Sequence, residues 1–92
     1  MTGNTIVVAV KDQIFSEVAG EVVILHLKQG VYYGLNHVGA RIWQLIQQPH
    51  TVSEVCDLIA QEFDAAKEQI ERDVTALFDD LLSRGMVEIS HA

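Results

Sequence analysis

Cysteine, proline and basic residues are scarce in this sequence, and it contains no long apolar segment. The one cysteine, Cys56, rules out a disulfide within the chain. The longest apolar runs, residues 6–10 and 22–25, are far shorter than the roughly 20 residues of a membrane-spanning helix, and the N-terminus lacks the pattern of a secretory signal. The sequence therefore predicts a cytoplasmic protein with no membrane partner.

Basic residues are fewer than acidic residues in this sequence. Six Lys and Arg residues stand against 13 Asp and Glu residues, which gives a net charge of −7, and the six are scattered along the chain. Nucleic acids and anionic membranes are bound by clustered basic residues, which replace counterions or contact lipid headgroups. Both classes of partner are therefore disfavoured, whereas an acidic surface is compatible with a basic partner.

Groups for catalysis or cofactor binding are missing as well. The four histidines are far apart and show no paired spacing, and neither a GxxxxGK nor a GxGxxG glycine pattern occurs. Cys56 lies beside the apolar stripe of a predicted helix, where a free cysteine usually behaves as a small buried hydrophobe. We therefore predict a protein that is not an enzyme and that has no cofactor or metal ion.

Apolar residues, in contrast, are abundant, and they make up 49% of the 92 residues. Such a composition indicates a folded chain, because disordered segments lack the apolar residues that offset the entropy of ordering. The length allows one hydrophobic core. We predict a single domain over residues 1–92.

The first third of the chain is rich in Val, Ile and aromatic residues, which favours strands. Residues 6–10 and, more weakly, residues 14–18 are candidate strands, and residues 21–35 indicate a hairpin with Gly30 in its turn. A turn over residues 28–30 places Leu27 opposite Val31. In this register the face towards the core carries Val23, Leu25, Leu27, Val31, Tyr33 and Leu35. The outer face then carries Ile24, His26, Tyr32 and Gly34.

From Asn36 the apolar spacing becomes helical. Asn36 is a suitable N-cap for a first helix that ends near Gln47, and the capping box at residues 51–54 starts a second helix over about residues 52–63. A third helix follows Asp64 and ends at Gly85, and residues 87–89 are a possible short strand. The apolar face of the third helix carries Ile70, Val74, Leu77, Phe78, Leu81 and Leu82.

These elements define an α+β fold class, in which three or four strands are followed by three helices. The order is similar to that of a winged helix-turn-helix. An edge of the strand over residues 31–35 could be unpaired and could receive an extended peptide, or the chain's own terminus or the strand over residues 6–10 could cover it. With the third helix beside a free edge, a peptide would bind as an added strand and place alternate side chains between strand and helix.

The stretch from about residue 21 to residue 89 resembles the PqqD-like domains, in the segments GVYYGLNHVGARIW, TVSEV, ERDV and LLSRGMVE. These domains are recognition elements for ribosomally synthesised and post-translationally modified peptides (RiPPs), and they bind the leader segment of the precursor. The resemblance implies a three-stranded antiparallel sheet followed by three helices. It also implies that the leader adds to the third strand of this sheet and packs against the third helix. The peptide-binding residues would then be Val31, Tyr32, Tyr33, Gly34, Leu35, Val74, Leu77, Phe78 and Leu81.

Within the family, the KQGVYYGLN hairpin looks closer to the stand-alone recognition proteins of lasso-peptide pathways than to members that serve pyrroloquinoline quinone synthesis. This similarity implies that the precursor is presented to a leader peptidase in trans, and then to a cyclase. Three alternatives remain open: a peptide chaperone of another RiPP pathway, such as that of pyrroloquinoline quinone, a winged-helix regulator, and a dimerisation module that pairs through the same strand edge.

Overall fold

A computed structural model describes residues 1–91 of the chain and has the predicted α+β architecture. The elements in chain order are β1 (Thr5–Ala9), β2 (Gln13–Val18), β3 (Glu21–His26), β4 (Val31–Leu35), α1 (His37–Leu45), β5 (His50–Thr51), α2 (Val52–Glu62), α3 (Lys67–Ser83) and β6 (Val87–His91). They form two three-stranded antiparallel sheets, with strand orders β2-β3-β4 and β5-β1-β6. The predicted sheet followed by three helices is the first sheet with α1, α2 and α3.

The β2-β3-β4 sheet is built by two successive hairpins. Ala19 and Gly20, both with positive φ, join β2 to β3 in a two-residue turn of the kind that matches the twist of hairpin strands. Residues 27–30 join β3 to β4, where the N–H of Gly30 donates to the carbonyl of His26 over 2.8 Å. The second connection has four residues, and it fixes the register of β4.

The predicted register of this hairpin is wrong by one residue on β3. His26, and not Leu27, lies opposite Val31, and Ile24 lies opposite Tyr33. Because side chains alternate between faces, this slip turns β3 over, so that the buried residues are Val22, Ile24 and His26. Tyr32 is 69% exposed on the outer face, as predicted.

The second sheet was predicted only in part. The first predicted strand exists as β1, but β1 pairs with β5 and β6 and takes no part in the β2-β3-β4 sheet. The possible strand at residues 87–89 is confirmed as part of β6, which pairs along the whole of β1. The N-terminal strand therefore does not cover the edge of β4.

Helices α1 and α2 begin, and α3 ends, where local capping signals predict. The Asn36 side chain accepts a hydrogen bond from the N–H of Gly39 over 2.9 Å, and Thr51 and Glu54 form the reciprocal capping box at the start of α2. The third helix ends at Ser83, and Gly85 adopts a φ of +72°, which suits glycine.

The core lies between the inner face of the β2-β3-β4 sheet and the three helices. Trp43 is its largest fully buried side chain, and Phe15 of β2 packs edge-on against it with 5.8 Å between ring centroids. Cys56 is buried, as predicted, and burial raises the pKa of its thiol. None of the helices within residues 1–91 is long and apolar enough to cross a membrane.

Candidate functional site

The candidate site is the cleft between β4 and α3, and its first component is the free edge of β4. Strand β4 is the last in the order β2-β3-β4, and no strand within residues 1–91 pairs with its other edge. Such an edge presents a row of backbone N–H and C=O groups to solvent. Of the two arrangements that the sequence left open, the structure has the uncovered one.

The direction of these backbone groups follows from the pairing of β2 with β3. In an antiparallel pair, every second residue of a strand exchanges both of its hydrogen bonds with the same neighbour. The tight turn sets Val18 opposite Glu21 as such a pair, and Leu27 donates its N–H to the carbonyl of Asp12 over 3.2 Å. Odd-numbered residues of β3 therefore bond to β2, and even-numbered residues bond to β4.

The same alternation continues into β4. Its residues opposite the even-numbered positions of β3 are Val31, Tyr33 and Leu35. Their N–H and C=O groups are used within the sheet, so Tyr32 and Gly34 direct theirs to the free edge. An incoming strand would form its hydrogen bonds to these two residues.

The second component of the cleft is the link between Tyr33 of β4 and the C-terminal half of α3. The Tyr33 hydroxyl donates a hydrogen bond to Asp80, and Asp80 in turn accepts from Nε of Arg84 over 3.1 Å. The guanidinium of Arg84 also lies over the Tyr33 ring, 4.9 Å from its centroid. Strand and helix are thus fixed together at one end of the cleft.

These contacts shift the ionisation of both partners. Burial, followed by the hydrogen bond to the negative Asp80, raises the pKa of Tyr33 above its usual value of 10.0. The Tyr33 hydrogen bond, together with Arg84, lowers the pKa of the Asp80 carboxyl below its usual 3.8. At neutral pH the link therefore consists of a neutral phenol, a carboxylate and a guanidinium.

Beyond this link the cleft opens into a pocket of about 360 Å³ at the C-terminal end of β4. The apolar side chains of its wall come from β4, α1 and α3, and they are Leu35, Val38, Ile42 and Leu77. Asp73 is the only charged residue that lines it. The pocket can therefore take an apolar side chain next to a carboxylate.

The structure brings the predicted strand residues to the site but divides the predicted helix residues. Val74, Phe78 and Leu81 are at most 1% exposed and belong to the core, so they hold the helix in place from behind the cleft. Of the four predicted helix residues, only Leu77 is partly exposed and lines the cleft, so it alone is accessible from the cleft. Contact of a peptide with Leu77 and with β4 stays a prediction.

Several residues of the cleft were not predicted as site residues. Asp73 and Asp80 lie one turn before and almost one turn after Leu77, which puts all three on the same side of α3. Val38 and Gly39 come from the start of α1, directly after β4. The spacing from Leu77 was the signal that could have identified the two acids, since residues three and four apart share a helix face.

We expect Tyr33→Phe to lower the free energy of unfolding by about 0.5–1.5 kcal/mol at pH 7, because it removes a hydrogen bond to a partly exposed carboxylate. Since the folded-state pKa of Asp80 is depressed, its stabilising contribution is present at neutral pH and is lost as the pH falls through and below 3.8. The difference between the two proteins should therefore shrink at about pH 3. Urea unfolding of both proteins at the two pH values measures it, and a difference independent of pH would contradict the assignment.

Residues 21–87 match the family model described as coenzyme PQQ synthesis protein D (PqqD). The chain belongs to the PqqD family. The matched residues run from the first residue of β3 to the first residue of β6, so all elements of the cleft lie within the PqqD match.

Two solved structures are similar to this PqqD family member. "TbiB1 in Complex with the TbiA(beta) Leader Peptide" is 31% identical, with a TM-score of 0.81 over 88% of this chain and 94% of that chain. "Lasso peptide synthetase B1 complexed with the leader peptide" is 24% identical, with a TM-score of 0.78 over 89% of this chain and 96% of that chain, which is evidence of the fold alone. A comparison with curated proteins found no significant match.

Proposed function

We propose that this chain binds the leader segment of a ribosomally synthesised precursor peptide as an added strand on the free edge of β4. The observation that carries the proposal is the edge itself: Tyr32 and Gly34 offer unpaired backbone groups beside a pocket that has an apolar wall. Main-chain hydrogen bonds give such a complex its affinity, and the pocket selects among the guest's side chains.

The resemblance of the KQGVYYGLN hairpin to the recognition proteins of lasso-peptide pathways supports such a pathway for this chain. Both similar structures are described as complexes with a leader peptide, and one of those proteins is a lasso peptide synthetase B1. In our proposal the domain is not catalytic and acts in the cytoplasm. It presents the bound precursor to a leader peptidase in trans and afterwards to a cyclase. No group of three or more possible metal ligands occurs in the described part of the chain.

We expect the purified domain to bind the fluorescein-labelled leader of the precursor encoded in its own gene cluster with a Kd in the micromolar to high nanomolar range. The range follows from the small surface that a strand of six to eight residues buries. Fluorescence anisotropy at increasing protein concentration measures it. The absence of binding at a protein concentration of about 100 μM would contradict the proposal.

A second candidate is a peptide chaperone for pyrroloquinoline quinone synthesis, which the description of the matching family model favours. The two functions use the same cleft and differ in the guest. Competition between the two classes of precursor decides between them: displacement of the labelled lasso leader by a quinone-pathway precursor, at a lower concentration than by unlabelled lasso leader, would favour the second candidate. A neighbouring gene for an asparagine-synthetase-like cyclase would favour the first.

A further inference from the structure

Asp73 is the one carboxylate of the cleft that has no positive partner. It is exposed on α3, it forms no ion pair with any of residues 1–91, and its Oδ1 accepts a hydrogen bond from Nε2 of Gln69 over 2.8 Å. The nearby Arg72 donates to the Gln69 side chain and not to Asp73. By contrast, Asp80 at the other end of the cleft is held by Tyr33 and Arg84.

The other sides of the pocket also supply no positive charge. Strand β4 and helix α1 contribute apolar side chains, the Asn36 side chain that caps α1, and backbone. A cation at this position must therefore come from the guest. A peptide with an acidic residue here would be disfavoured by Asp73 and by the net charge of −7.

The spacing of side chains along a strand matches the spacing of Leu77 and Asp73 along α3, so two side chains of a guest strand would lie opposite these residues. Tyr33 of β4 bonds to Asp80, and the pocket beyond it, which also contains Leu35, is lined by Leu77 and Asp73 of α3. The residue numbers of α3 thus fall as those of β4 rise, so the two elements run in opposite directions. One helical turn from Leu77 to Asp73 covers about 6 Å, and side chains on one face of a strand repeat about every 6.8 Å. Consecutive inward-facing residues of a guest strand therefore match these two positions.

We propose that the guest carries an arginine or lysine two residues from the apolar side chain that fills the pocket, and that this cation pairs with Asp73. This inference rests on the proposed function and names the chemistry of the guest that the site selects. Because Asp73 is exposed, the pair is screened by solvent and contributes more to selection among peptides than to total affinity. Asp73 is thus a specificity-determining residue, while the edge of β4 supplies binding that depends little on guest sequence.

Selection from a phage-displayed library of random peptides of about 12 residues tests the proposal without knowledge of the natural guest. Wild-type protein should enrich peptides with an apolar and a basic residue two positions apart. Asp73→Asn should enrich the apolar residue without the basic one. The matched control is Asp79→Asn, which removes the same charge from the other side of α3, where Asp79 lines a surface groove with Glu68 and Arg72. The Asp79→Asn protein should enrich the same peptides as wild type, with an apolar and a basic residue two positions apart.

One enriched peptide is then synthesised in two versions, one with the basic residue and one with citrulline in its place. The difference between their Kd values measures the contribution of the basic side chain. Citrulline should weaken binding to wild type about two- to fivefold, and it should have no effect on binding to Asp73→Asn. The weakening caused by citrulline should disappear as the salt concentration is raised from about 0.05 M to about 0.5 M. Two results overturn this inference alone: the wild-type protein enriches peptides that lack a basic residue, or Asp73→Asn enriches the same basic residue as wild type does. Failure of the wild type to enrich any peptide overturns the proposed function and the inference together.

Discussion

Replacing Gly34 with proline should weaken leader binding about 50-fold while the domain stays folded. The N–H of Gly34 points to the free edge of β4, so its loss breaks no hydrogen bond to β3. Proline removes this donor and fills its place with ring atoms, which push away the guest carbonyl and leave it unpaired. The lost bond and the unsatisfied group together account for about 2–3 kcal/mol.

The control for this substitution is Gly34→Ala, which keeps the N–H. A Cβ at position 34 meets no atom within 4 Å, so alanine fits without displacing a neighbour. Anisotropy titrations with the labelled leader should give alanine a Kd within about twofold of wild type. Equal binding by the proline and wild-type proteins would show that the guest does not pair with this edge, whatever else it contacts.

Leu77→Asp is expected to have a similar or larger effect, about 100-fold on the Kd of the leader. Leu77 is the apolar side chain of α3 that reaches the pocket, and a carboxylate there would be desolvated by the guest without a partner. It would also lie one turn from Asp73, whose negative charge adds to the cost. The Kd would then rise to about 50 μM or more, at or beyond the upper end of a titration to about 100 μM.

Since Leu77 also packs against the core, folding must be measured in parallel. Leu82→Asp is the matched control, because it places the same charge on the same helix at a side chain that is 37% exposed and does not line the pocket. Circular dichroism should show a folded protein in both cases. If Leu77→Asp is unfolded, Leu77→Ala replaces it, with an expected loss of about five- to tenfold. A folded Leu77 variant of either kind with wild-type affinity contradicts the role of α3 as the second wall.

The helices of this domain could be predicted from sequence because their signals are local. Asn36 and the Thr51–Glu54 capping box act on amides within the next turn, and both caps are present in the structure. The existence of β4 and of its exposed Tyr32 was predictable for a similar reason. The position of each of these elements is determined by residues that lie only a few positions apart in the sequence.

The register of the hairpin depends on a finer feature, the number of residues in the turn. Three- and four-residue loops both place a glycine of positive φ just before the second strand, so Gly30 alone does not distinguish them. The choice was made by packing, because the observed register buries Val22 and Ile24 and leaves Val23 and Leu27 exposed. All of these are apolar, so the sequence pattern does not show which set faces the core.

The sequence did not show which apolar residues of α3 border the cleft, for a related reason. Helical periodicity identifies the residues most deeply buried, which here are Val74, Phe78 and Leu81, whereas Leu77, which lines the cleft, lies at the margin of that stripe. Asp73 and Asp80 occur in a run of acids that resembles a solvated face. Only the position of β4 beside α3 distinguishes them from their neighbours, and that position is a property of the tertiary fold.

The single tryptophan of the chain provides an optical signal of unfolding that requires no label. Trp43 is buried against Phe15 and takes no part in lining the pocket, so its fluorescence reports the folded state of the domain itself. A guest that binds only the folded domain raises the free energy of unfolding by mass action, by about 2.7 kcal/mol at a free concentration 100 times its Kd, and the unfolding midpoint rises as a result. A melting series monitored at this residue can therefore rank unmodified leaders, including those too weakly bound or too poorly soluble for labelling.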